Sequence, residues 1–164
     1  MIMSHKKVAL FFLLGIVGCS KNSTNYDIAT GMRFQVGAKA FQSIQYGAVA
    51  YPYYYQIDGT GIINGDTVTL TLYVVTPVVV NQKISTDNTA LAEIDYEIRS
   101  NNTPFATYSA FQGQKGPAYY TVTAMDTIRR TIQGTFSGML AQNGSVTGAA
   151  DSIVITNGQF NSSY

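Results

Sequence analysis

The sequence predicts an all-β protein built as a single antiparallel β-sandwich or barrel-like domain. Three observations carry that prediction. Apolar and polar residues alternate with period two along most of the chain after residue 30. Gly, Asn and Asp turn signals interrupt the alternation at short, regular intervals. Little of the chain holds a helical period, and many short strands with regular turns are the pattern of a sandwich or barrel.

The clearest strand is Thr67–Val74. Val68, Leu70, Leu72 and Val74 alternate there with Thr67, Thr69, Thr71 and Tyr73, which gives an apolar face and a polar one. Leu70 is the inward residue at its centre. Ala92, Ile94, Tyr96 and Ile98 alternate in the same way with Glu93, Asp95, Glu97 and Arg99. A helix through Leu91, Ile94 and Ile98, capped by Asp87, matches fewer positions, so the strand is preferred. Further strands are expected over 32–36, 40–45, 53–57, 104–111, 119–125, 131–140 and 152–156. Turns are expected at Gly37, Asp58-Gly59, Asn64-Gly65, Asn101-Asn102, Gly113 to Gly116, Asn143-Gly144 and Asn157-Gly158. Asn64-Gly65 before an alternating run is a hairpin signal, because both residues tolerate positive φ. Gly134, Phe136 and Gly138 sit two apart, so they share one sheet face, where the glycines leave room for a bulky neighbour or a bend. No P-loop lysine or following helix accompanies them.

The N-terminus carries an address. Lys6 and Lys7 precede the uncharged run Val8–Gly18, which ends in small residues as a signal peptide does. That run is too short for a membrane-spanning helix of about 20 residues. Ile16-Val17-Gly18-Cys19 resembles a bacterial lipobox. The resemblance implies lipid transfer to the Cys19 sulfur, cleavage after Gly18 and acylation of the new amine. Residues 1–18 are therefore read as a lipoprotein signal peptide, 19–30 as a lipidated polar tether and 31–164 as the all-β domain. The chain is expected at the outer membrane. Surface-exported lipoproteins tend to carry acids soon after the cysteine; Ser20–Asn25 has Lys21 and no acid, which favours the periplasmic face.

Cleavage changes the chemistry available. Removing residues 1–18 from 164 leaves 146, enough for one core. Eight Lys and Arg then face nine Asp and Glu, so no basic excess remains to draw nucleic acid. The only histidine, His5, leaves with the signal, and the only cysteine, Cys19, becomes a thioether. A Ser-His-Asp triad, a Cys-His pair, a disulfide and a zinc site of His or Cys are all excluded for such a chain. No catalytic residue, cofactor or metal site is assigned.

Three groups of residues remain as candidates. Glu93, Asp95 and Glu97 place three carboxylates on one strand face. Residues two apart on a strand lie roughly 7 Å from each other, which suits glycoside hydrolysis by an inverting pair. A solvated face is the plainer account. Asp58, Asn64 and Asp66 lie in a Gly-rich stretch that lacks the spacing of a calcium loop. Tyr51, Tyr53, Tyr54 and Tyr55 around Pro52 offer flat rings with polar tips, suited to sugars or a protein partner. Alternation puts Tyr53 and Tyr55 with Ile57 on the core side and leaves Tyr54 as the ligand-surface candidate.

The stretch from Ile128 to Gly138, followed by Asp151 to Phe160, resembles the ending of small lipoproteins of the Bacteroidota, a "GTFSG" strand closed by an "ITNGxF" strand. Ala29–Ser43 is similar to the opening strand pair of those families, with Phe41 where they usually carry Trp. The resemblance implies an exported all-β domain of unknown function and carries no catalytic residue. Asp66-Thr67-Val68, Asp126-Thr127-Ile128 and Asp151-Ser152-Ile153 resemble the O-glycosylation sequon of exported proteins of that phylum, making Thr67, Thr127 and Ser152 candidate glycan sites. The expected role is a lipid-anchored, non-enzymatic binding or structural accessory protein with a glycan or protein ligand. The alternatives are a hydrolase using pairs among Glu93, Asp95, Glu97, Asp58 and Asp66, or an inhibitor of an extracytoplasmic hydrolase.

Cys19→Ser is predicted to abolish labelling by a palmitate analogue and to leave an uncleaved or soluble form. Unchanged membrane partition of the variant would contradict the anchor.

Overall fold

A computed structural model describes residues 30–101, 103–113, 116–144 and 149–164. The expected signal peptide over 1–18, Cys19 and the expected tether through residue 29 lie outside the described residues. Eleven strands run through the rest: β1 (Gly31–Val36), β2 (Lys39–Gln42), β3 (Gln45–Ala50), β4 (Tyr54–Ile63), β5 (Asp66–Val75), β6 (Lys83–Ser85), β7 (Glu93–Ser100), β8 (Thr103–Ala110), β9 (Ala118–Asp126), β10 (Thr131–Gln142) and β11 (Ser152–Ser163). They form one antiparallel sheet ordered β2-β1-β11-β10-β8-β7-β5-β4-β3, curled into a half-barrel. The long β10 forks the sheet. Its first part, Thr131–Gly138, pairs with β9, while Ala141 and Gln142 pair with β8; β6 joins on the far side of β9.

The alternation read from the sequence sets which face turns inward. On β5, Val68, Leu70, Leu72 and Val74 are all buried, with Leu70 at 0% exposure, while Thr69, Thr71 and Tyr73 lie on the other side. Ile94 and Tyr96 of β7, Ala106 and Tyr108 of β8, and Phe136, Ile132 and Phe160 of β10 and β11 fill the same interior. Phe34 of β1 stands at the centre. Its ring stacks on Phe41 of β2 at 4.3 Å and meets Tyr96 and Phe136 edge-on at 6.0 and 5.9 Å. Edge-to-face and offset contacts at such distances suit the ring quadrupole.

The curl brings β2 and β1 against β4, which is not their neighbour in the sheet. Glycine makes that approach possible. A Cβ on Gly61 would lie 2.7 Å from the Phe41 ring, and one on Gly59 would lie 2.8 Å from Met32 Cβ. This explains why Asp58-Gly59, expected as a turn, lies within β4 instead: the glycine is there for close packing and not for a bend. Asn157-Gly158, also expected as a turn, is a bulge inside β11. Asn157 takes φ 54°, and the pairing with β10 skips between Phe136 and Gly138. Turns and bulges need the same left-handed residue, so the sequence signal is shared. Asn64-Gly65 does form the β4–β5 hairpin, at φ 53° and 90°. Two strands, β3 and β6, were not expected, since neither alternates cleanly.

The register makes a direct prediction. Leu70→Ala should cost about 2–5 kcal/mol, read by denaturant unfolding. Thr69→Ala, which loses only the 3.0 Å hydroxyl contact with Thr60, should cost at most about 1.5 kcal/mol. A larger cost at Thr69 would place the wrong face inward.

Candidate functional site

Cross-strand pairing collects the sequence candidates on one outer face of β4, β5, β7 and β8. Asp58, Thr71, Asp95 and Ser109 stand directly opposite one another across the four strands. One residue pair along on each side run Gln56, Tyr73 and Glu93, then Thr60, Thr69, Glu97 and Thr107. Hydrogen bonds tie the central row as two pairs. The Thr71 hydroxyl donates to Asp58 Oδ1 at 2.7 Å, Ser109 donates to Asp95 Oδ1 at 2.5 Å, and Asn143 Nδ2 donates to Ser109 Oγ at 2.7 Å. Gln56 Nε2 adds a bond to Asp58 at 3.0 Å. A shallow depression of about 260 Å³ lies over Glu93, Asp95, Glu97 and Asn143.

The tyrosines adjoin these rows. Tyr54 opens β4 on the outer face and stacks on Tyr51 at 4.8 Å, with the Tyr73 ring edge-on at 5.4 Å. Tyr73 is itself the cross-strand partner of Glu93, so the rings run into the carboxylates without a break. The expected core role of Tyr53 is incorrect. Tyr53 is 71% exposed, because β4 begins one residue later and Tyr53 belongs to the turn before it, where its carbonyl accepts from Thr76 N. Tyr55 does pack against the core, with its ring 4.7 Å from that of Tyr164. Tyr54 is half-buried by its ring neighbours.

The electrostatics follow from crowding acids on one face. Partial burial, then the neighbouring Asp95 charge and a hydrogen bond to Asp95, raise Glu93 from 4.5 to about 7. Tyr73 is pushed up to about 12 by burial and by the charges of Asp95, Glu93 and Asp58. Glu97 is offset by Arg99, whose Nε lies 2.7 Å from Glu97 Oε1. Asp66 does not join the cluster. It lies beside the β4–β5 turn with the inward residues of β5, near Lys39 and Tyr96. The stretch Asp58–Asp66 is therefore a strand and a hairpin whose two acids face opposite ways.

Of the candidate glycosylation positions, Thr127 and Ser152 are exposed and Thr67 is half-buried within β5. Asp126 caps its turn by accepting from Ile128 N and Arg129 N at 2.9 and 2.8 Å. Sequence reasoning did not single out Gln56, Tyr73, Ser109 or Asn143. Their membership depends on which strands pair and in what register, and no local pattern carries that.

Comparison with protein-family models, with curated proteins and with solved structures gives no match.

Glu93 makes stability depend on pH. The unfolded chain ionises this group near 4.5 and the folded chain near 7. Across that window the folded state holds the extra proton, so this contribution is greatest below 4.5 and is lost as pH rises through 7. Glu93→Gln should therefore gain melting temperature relative to the wild type at pH 8 and not at pH 4. An equal difference at both values would contradict the shift.

Proposed function

We propose that this chain is a lipid-anchored, exported binding domain of the outer membrane, non-enzymatic, with an uncharged saccharide as its ligand. The observation that carries the reading is the outer face on which Tyr51, Tyr54 and Tyr73 lead into Gln56, Asp58, Glu93 and Asp95. Sugars present apolar C–H faces and hydroxyl rims together. Tyrosine rings meet the former, and carboxylates and amides accept from the latter. The lipobox-like Ile16–Cys19 supplies the anchor, and the resemblance of the two chain ends to small Bacteroidota lipoproteins agrees with an exported accessory role.

The hydrolase alternative has less support. Glu93 and Asp95 lie under a shallow, open depression, which neither encloses a scissile bond nor excludes water. Asp58 and Asp95 are two strand spacings apart, roughly 9.6 Å, with Thr71 standing between them.

A glycan array probed with the full chain in detergent tests the reading. Neutral glycans should be bound, and Tyr54→Ala should reduce that binding at least about tenfold with its melting temperature within a few degrees of wild type. Binding unaffected by Tyr54→Ala would remove the site, and a wild-type chain blind to every neutral glycan would remove the function.

A further inference from the structure

The opposite wall of the half-barrel carries a second outer face of different chemistry. Gln42, Arg33, Gln159, Thr135, Thr121 and Lys83 stand directly opposite one another across β2, β1, β11, β10, β9 and β6. The alternate positions, Phe34, Phe160, Phe136 and Tyr120, are buried in the core, so the six polar side chains face outward together. Beside this row lie Gln35, Asn157, Ser137 and Tyr119. Two shallow depressions of about 420 and 450 Å³ run along it and share Asn157 and Gln159; no Asp or Glu lines either.

The groups are held in place. Arg33 Nε donates to Gln159 Oε1 at 2.7 Å, Asn157 Nδ2 donates to Gln35 Oε1 at 2.9 Å, and the Lys83 ammonium sits 3.8 Å over the Tyr119 ring. Neither Arg33 nor Lys83 pairs with a carboxylate among the described residues. Four strand spacings of about 4.8 Å separate them, roughly 19 Å in all.

We propose that this face binds a linear, sparsely anionic polysaccharide laid across the strands, with uronate groups at Arg33 and Lys83 and sugar hydroxyls between. Charge complementarity sets the sign of the ligand. The spacing sets its charge density, since a nucleic-acid strand of this length, with a phosphate every ~3.4 Å, would bring about six charges to two cations. The amides and hydroxyls between the cations match sugar hydroxyls in donor and acceptor capacity. A protein interface needs an apolar, aromatic centre, and this row offers only Tyr119 at its margin. The proposal is independent of the tyrosine face on the other wall.

The test uses the full chain in non-ionic detergent, with hyaluronan as the probe because its uronates alternate with neutral sugars, and dextran as the uncharged control. Binding to hyaluronan is expected to weaken as salt rises and to survive excess dextran, since a neutral glycan held at the tyrosine face leaves this row free. The double variant Arg33→Gln/Lys83→Gln should lose at least about tenfold in affinity while melting as the wild type does, and Tyr54→Ala should bind hyaluronan unchanged. Equal affinity of wild type and double variant would overturn the proposal. So would equal competition by single-stranded DNA, which makes the face a general polyanion surface. Retention that tracks self-association in sedimentation would overturn it too, because the face would then belong to a second copy's acidic wall.

Discussion

Everything in this fold depends on the contact that closes the curl, where Met32 of β1 and Phe41 of β2 reach across to β4. A flat eleven-stranded sheet would leave one apolar face in water. Folding the β1–β2 end over lets Phe34 touch Phe41, Tyr96 and Phe136 at once, so one ring joins strands from both walls. The approach requires missing side chains on β4, and Gly59 and Gly61 supply them. Dense packing leaves no slack here, since an added methyl group must displace a ring or the backbone.

Closing the sheet on itself has a chemical consequence. The inward faces of both walls are used up by the core, and the polar alternates of every strand are displayed on two outer faces that point away from each other. Because pairing lines residues up across strands, each face presents ordered rows. Acids accumulate on the β4–β5–β7–β8 wall, where partial burial and then their mutual repulsion raise Glu93 to about 7. On the other wall the rows carry amides, hydroxyls and two separated cations. The two faces thus differ in chemistry while sharing one core.

Much of this was legible in the residues, and the rest was not for definite reasons. The all-β class, the inward face of β5 and the Asn64-Gly65 hairpin follow from local periodicity and turn chemistry, which a strand keeps wherever it is placed. Asp58-Gly59 and Asn157-Gly158 misled because glycine and left-handed asparagine serve close packing and bulges as well as turns. Tyr53 was put on the wrong side by counting alternation one residue beyond the true start of β4. Glu93, Asp95, Asp58 and Tyr54 could each be picked out, yet their assembly on one face rests on β4 pairing β5 and β5 pairing β7 in one register. The Arg33–Lys83 row was invisible for the same reason, as it joins residues from six strands.

The contact between β2 and β4 is open to direct measurement by nuclear Overhauser spectroscopy on the folded chain. Cross-peaks between the Phe41 ring protons and the Gly61 α-protons are expected, together with peaks from Phe34 to both Tyr96 and Phe136. Their absence in a well-folded sample, with the β4–β5 and β5–β7 cross-strand peaks intact, would mean an open sheet and would contradict the closure on which both outer faces depend.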